Sequence, residues 1–348
     1  MVDPATTRPI GGFLPLRLPT GIVSSNSPLS LCFSGFHDSW LLHNARSALH
    51  ALWKITRPRR IWLPAYVCAE VSLAIPSGID MRYYPLDEAL FPRVDFLSAQ
   101  ILDGDHVLAI NYFGRPADPS FVALVQARPD IGWIEDRAHA MDAPDSAWGD
   151  WLLYSPRKVF GVPDGGILVS HRKVLGQLHT MPPIELSFAL PSLERFEDVN
   201  ETDNHRWYMS YLQQEAAMGI GLQSMSRLSL ELLKTTDVRT DRAVRRSNYR
   251  TLYGRLREYA YLSEADIDFT PLGFPIRVKS AAQLSKQLSA KRVFAGRHWA
   301  SLPSDPTAFA TEHRLARELV TLPCDYRYGE ADMHRVADAV CNAMTMGA

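Results

Sequence analysis

The stretch Trp151–Ser170, "WLLYSPRKVFGVPDGGILVS", sets two runs of strand-forming residues around a segment with one lysine, Lys158, a proline-bounded turn and the pair Gly165-Gly166. A charged side chain at the mouth of a buried strand is either a solvated surface lysine or a group placed for chemistry. A glycine pair either turns a hairpin or lets the backbone approach a neighbour closely. Which reading holds depends on what the rest of the chain brings to the same place.

Working outward, "WIEDRAHAM" ends an apolar run with Glu135 and Asp136, and His139 follows. Further upstream, "HNARSALHAL" puts Arg46 and Ser47 at the start of a helical pattern, where exposed N–H groups can hold a phosphate. Between these motifs, "RIWLPAY", "DMRYYPL", "HVLAINYFG", "IGWIED" and "WLLYSP" are short apolar runs rich in β-branched and aromatic residues. They read as buried strands. Helical stretches such as "ARSALHALWKI" and "VCAEVSLAI" alternate with the early ones, which predicts an α/β sheet covered on both faces. A long helical region is expected from about His205 to Thr235. Beyond it, "RTDRAVRRSNYRTLYGRLREY", "GFPIRVKS", "SAAQLSKQLSAKR" and "EADMHRVADAVCNAM" read as a smaller α+β domain. The expected boundary lies near Asp237, giving a large domain over residues 1–236 and a small one over 237–348.

Composition excludes several classes. The chain has 348 residues, 46% hydrophobic and 22% charged, enough for a large core. A formal net charge of -1 gives no global pull toward nucleic acid or acidic membranes. The densest basic run, "RPRR" at Arg57–Arg60, reads as a solvated helix end. No apolar stretch approaches the ~18 residues of a membrane span, and the start lacks a secretory pattern. Cys32, Cys68, Cys324 and Cys341 show neither a CxxC pair nor metal spacing. A cytoplasmic protein with reduced thiols and no metal is expected.

In open α/β sheets, ligands gather where strands end. A phosphate cradle, a carboxylate and a lysine at such ends are what pyridoxal phosphate (PLP) requires. Each also has a plain structural reading. The lysine can be solvated, Asp136 and Ser47 can cap helices, His139 can be a core histidine, and the glycines can turn a hairpin.

Order and spacing carry a more specific resemblance. "NARSALHAL", "LPAYVCAEVSLAI", "INYFGRPAD", "IEDRAHAM", "YSPRKVFGVPDGGILVS" and "LPCDYRYGEADMHRVADAV" occur in sequence between about Leu41 and Val340. In that order they resemble the motifs of the DegT/StrS family of sugar aminotransferases, fold type I PLP-dependent enzymes. The resemblance implies a large domain with a mostly parallel central sheet flanked by helices, and a smaller C-terminal α+β domain. It implies that Lys158 bonds the PLP aldehyde and moves the substrate proton. Asp136 would pair with the pyridine nitrogen, and His139, where the family has Gln, would lie near the phenolic oxygen. Ser155 and the Arg46-Ser47 turn would bind phosphate. Cys68 stands where an aromatic commonly stacks on the ring, leaving Tyr66 as a substitute. Ala45 replaces the usual Gly, and Ser155 lies closer to the lysine than is common. Small-molecule partners would be an amino acid donor, glutamate foremost, and a keto sugar acceptor carried on a nucleotide. A homodimer is implied, with Asn200–Tyr211 as a supplier of residues across its interface. Two other readings remain open. One is a PLP enzyme acting on an amino acid, with Arg297 or Arg327 holding the carboxylate. The other is a non-catalytic protein of the same fold.

Overall fold

The computed structural model describes residues 8–18, 24–33, 38–140, 147–179, 181–198, 204–263 and 267–346. Asn200–Asp203 of the segment expected at an interface, and the side chain of Cys32, lie outside them.

A nine-stranded sheet forms the centre. Its strands are β2 (Ser39–Leu42), β3 (Arg60–Pro64), β4 (Asp80–Tyr84), β5 (His106–Ile110), β6 (Gly132–Asp136), β7 (Trp151–Tyr154), β8 (Gly166–Ser170), β9 (Met181–Pro183) and β10 (Gln223–Ser224). Their order is β4-β3-β5-β6-β7-β8-β2-β10-β9. Strands β3 to β7 run parallel, while β8 is antiparallel to both β7 and β2. The five apolar runs expected to be strands are β3 to β7. β2, Ser39–Leu42, was not among them.

Strands β3 and β5 to β7 are buried on both faces, as continuous apolar runs require, while β4 lies at the sheet edge and is partly exposed. In β3, Ile61 and Leu63 pack with Leu49, Leu52 and Trp53 of helix α1 (Ala45–Thr56). Trp62, pointing the other way, joins Val107, Phe121 and Trp133. Helix α1 stops because Arg57 turns left-handed (φ 46°) and returns its N–H to Trp53 O at 2.9 Å. That places the "RPRR" run at a helix end.

The expected helix from about His205 to Thr235 is broken in two. Leu190–Glu197 forms helix α2 and Asn204–Ala217 forms α3; β10 then intervenes before a helix over Arg227–Thr235. Gly219 and Gly221 weaken the helix locally, and their backbone is drawn to the start of α1. Gly219 O accepts from Asn44 Nδ2 at 3.0 Å, and Gly221 N donates to Ser47 Oγ at 3.1 Å. The second helix restarts at Ser226, whose hydroxyl accepts from Ser229 N at 3.0 Å.

Helix α4 (Val238–Leu256) opens at Asp237, which caps it through Arg239 N and Thr240 N. Around it lies a second core. β11 (Phe274–Arg277) pairs antiparallel with β13 (Leu319–Leu322), and the final helix α5 (Glu330–Met346) packs nearby. The N-terminal strand β1 (Ile10–Gly11) belongs to this core, pairing parallel with β12 (Val293–Phe294). The sequence pattern gave no sign of that long-range strand pair.

Gly166 begins β8 against the start of α1. A Cβ there would fall 2.0 Å from Asn44 C and 2.2 Å from Ala45 N, both backbone atoms that cannot swing aside. Gly166→Ala is therefore expected to destabilise the protein by about 2–3 kcal/mol through overpacking. Gly254, exposed in α4, has nothing within 4 Å of its would-be Cβ. Gly254→Ala should stabilise by up to about 1 kcal/mol. Thermal denaturation of the two variants checks both signs.

Candidate active site

A cleft of about 1160 Å³ opens at the C-terminal ends of the parallel strands. Strand β6 ends there with Asp136, and β7 ends at Tyr154, followed by Ser155 and the short turn Pro156–Lys158. Alternation along β6 sends the two adjacent acids apart. Glu135 is committed to internal structure, accepting from Asn111 Nδ2 (2.8 Å) and Trp148 N (2.9 Å) and pairing with Arg137 (2.9 Å). Asp136 faces the cleft instead. Its Oδ1 accepts from Ala138 N at 2.8 Å.

Lys158 sits deep in the molecule, yet its side chain is open because it projects into this void. Among the described ion pairs none joins it to Asp136, so the two charges act on each other across space. Burial pushes the Lys158 amine below the usual lysine range, and the charge of Asp136 opposes that shift. Burial raises Asp136, and Lys158 in turn opposes it.

The backbone around Lys158 is tied on every side. Asp164 accepts from Ser226 N (2.9 Å) and Ser229 Oγ (2.8 Å). Gly165 N donates to His43 O at 2.8 Å, and Gly166 lies against Asn44. From α4, the buried Arg245 donates to Val159 O (2.8 Å), next to the lysine, and to Pro271 O (3.2 Å) and Leu272 O (3.1 Å). The glycine pair thus joins the lysine loop to the start of α1.

That helix start faces the cleft through Asn44, Ala45 and Arg46. Arg46 donates to Met218 O at 2.7 Å and pairs with Glu70; its neighbour Arg157 pairs with Glu215. Ser155 lines the cleft, and its hydroxyl does not cap the turn it precedes. Ser47 does not line it. Its N–H donates to Asn44 Oδ1 at 2.8 Å, and its Oγ accepts from Gly221 N. Both groups expected to meet a phosphate are engaged within the chain.

No protein-family model matches the sequence, and no curated protein does. Solved structures do match. A sugar aminotransferase, Spr1654 from Streptococcus pneumoniae in its PLP form, superposes with a TM-score of 0.68 at 12% identity, covering 97% of this chain and 99% of that one. A DegT DnrJ EryC1 StrS aminotransferase from Brucella abortus gives 0.62 at 14% identity, covering 89% and 87%. DesI, solved with its TDP-sugar product, gives 0.63 at 15% identity, covering 91% and 84%. The chain has the fold of the sugar aminotransferases. This is the fold type I architecture.

Within that fold, His139 lies just behind the cleft wall. Its Nδ1 faces Phe113 N at 3.4 Å, which leaves the ring proton on Nε2; that buried atom has no partner among the described residues. Burial, and then the charge of Lys158, hold the imidazole neutral. Cys68 lines the cleft with a thiol raised by burial, while Tyr66 is buried and donates to His298 O. The aromatic ring beside the lysine is Trp299, whose centroid lies 5.9 Å from Lys158 Nζ and which stacks on His139 at 5.7 Å. Nothing local marks Trp299 in the sequence, because it reaches the site from the C-terminal third. His298 next to it also lines the cleft; burial, and then Lys158, push it down to about 4.

A lowered lysine is neutral, and so nucleophilic, at lower pH than an ordinary one. Asp136→Asn removes the charge that raises Lys158, so its labelling midpoint should move further down. The check is a pH–rate profile for trinitrophenylation of the Lys158 peptide, read by mass spectrometry. An upward move would contradict the assigned electrostatics.

Proposed function

We propose that the protein is a PLP-dependent aminotransferase that takes an amino group from an amino acid, glutamate foremost, and delivers it to a nucleotide-linked keto sugar. The observation that carries this is a lysine of lowered pKa and a buried carboxylate facing one void at the strand ends of a fold type I sheet.

The residues present fit the cofactor. Lys158 offers an amine of lowered pKa to an aldehyde. Asp136, buried with no described ion pair, suits a protonated pyridine nitrogen. The unpartnered His139 Nε2–H suits a phenolate oxygen. The start of α1 with Ser155 suits a phosphate, and Glu70, half exposed, can release Arg46 toward it. Trp299 supplies an aromatic face. When bound, PLP supplies an electron sink for the charge left as a substrate proton departs. Lys158 Nζ, neutral at lower pH than usual, takes that proton and returns it. Asp136 holds positive charge at the pyridine nitrogen. Arg245 keeps the lysine backbone in place.

Two further observations support the acceptor and the assembly. A cleft of about 1160 Å³ exceeds what an amino acid alone fills, and DesI is described with a TDP-sugar product. Leu186, Leu190, Leu193, Tyr208, Met209 and Leu212, on and near α2 and α3, are exposed, an apolar face suited to a second copy. No helix among the described residues is long and apolar enough to cross a membrane.

Incubation with PLP and then borohydride should fix a pyridoxyl group on the peptide containing Lys158. Lys158→Ala should still bind PLP through its phosphate but lose amino transfer by at least about 10²-fold. Labelling of another lysine, or of none, would sink the proposal. The form generated with glutamate should be discharged by a nucleotide-linked keto sugar. Discharge by several keto acids and by no sugar would select the amino-acid reading.

A further inference from the structure

Away from the cleft, an ionic contact joins the central sheet to the second core. After β4 the chain makes the turn 86–91. Asp87 Oδ1 stiffens it by accepting from Ala89 N (2.9 Å) and Phe91 N (2.8 Å). Glu88, on this turn, reaches the second core, where its carboxylate pairs with Arg314 and, at 3.3 Å, with Arg277. Both arginines also pair with Glu318, Arg277 at 2.7 Å and Arg314 at 3.3 Å. Charges of alternating sign thus close a ring, with Glu88 on the sheet side and its partners on β11 and the helix Ala310–Glu318. Beside the ring, Tyr261 Oη donates to Glu88 O at 2.8 Å, and the buried Glu312 accepts from Leu86 N at 2.6 Å. The side chains of Glu88, Arg277 and Arg314 are 58%, 39% and 34% exposed, so dissolved ions reach them. One exposed pair holds little, but in a ring each ordered side chain serves two bonds.

The ring is mechanically joined to the lysine end of the cleft. Glu318 leads directly into β13, whose Thr321 exchanges backbone hydrogen bonds with Gly296 at 2.9 and 2.8 Å and meets His298 Nδ1 through its hydroxyl at 3.0 Å. The loop that carries His298 is also tied to the end of β3. Tyr66 Oη donates to His298 O, and Ser304 Oγ donates to Ala65 O at 2.9 Å. Between those ties the Trp299 ring stands 5.9 Å from Lys158 Nζ. Play between sheet and second core at Glu88 therefore passes along β13 to Trp299.

We infer that Glu88 is a salt-sensitive latch that holds the second core, and with it Trp299, closed over the lysine end of the cleft. Glu88 touches no reacting group; it is a positioning residue that acts through β13. The latch acts whatever ligand Lys158 takes.

The test is hydrogen exchange of the full-length protein, read by mass spectrometry on peptides covering 296–304 and Leu319–Leu322. Between ~0.01 M and ~1 M salt the reach of exposed charges falls from about 30 to about 3 Å. Both peptides should exchange faster at high salt. At low salt Glu88→Gln should speed them by about two- to fivefold, the shift an exposed ion pair brings to an opening equilibrium, and should remove most of the salt response. Arg314→Gln should do the same, and the double variant should fall short of the product of the two, since both break one ring. Glu88→Asp, which keeps the charge, should recover part of the protection. The peptide of β6 should be unaffected throughout. Exchange that ignores both salt and Glu88→Gln would overturn the latch. So would faster exchange that extends equally to β6, which marks a general loss of stability.

Discussion

The contact of Gly166 with the backbone of Asn44 and Ala45 governs the site. With no side chain in the way, β8 leaves the lysine loop directly against the first turn of α1, and Gly165 N bonds His43 O at 2.8 Å. A cation and a helix N-terminus are thereby made to face one cleft. Asp164 holds the same loop to Ser226 and Ser229, and Arg245 holds it to three carbonyls from the opposite side. The lysine backbone is fixed by groups that do no chemistry, and its side chain is left to the void. Such support is what a reactive residue needs if its atom is to stay within reach of a substrate.

Electrostatics completes the site. Asp136 and Lys158 are each penalised by burial, and each partly relieves the other without closing an ion pair. A ligand that brings a protonated nitrogen to one and an electrophilic carbon to the other would find both groups ready. His139 adds a neutral donor behind them that has no partner among the described residues. These groups are costly in an empty protein and sensible around a charged, hydrogen-bonding guest.

Much of this was legible in the sequence. Strands β3 and β5 to β7 announced themselves because strands buried on both faces are continuous apolar runs; the edge strand β4 showed through its tyrosines. Lys158, Asp136 and Ser155 could be picked out as polar groups at the ends of such runs, and all three line one cleft. What failed was whatever depended on distant partners. The break between α3 and the helix at Arg227 comes from Gly219 and Gly221 bonding to His43, Asn44 and Ser47, far upstream. Ser47 looked like a phosphate ligand because the helix start could be located but not its cap; Asn44 takes its N–H. Trp299 and the Arg245 clamp come from the C-terminal third, and no local pattern ties them to the lysine.

The most direct test of a lysine–carboxylate site for PLP is the visible absorbance spectrum of the purified protein, with PLP added and then with glutamate. A band that appears with PLP, depends on Lys158 and bleaches when glutamate is added is the expected result. No band in the unmodified protein, or one that persists unchanged in Lys158→Ala, would contradict it.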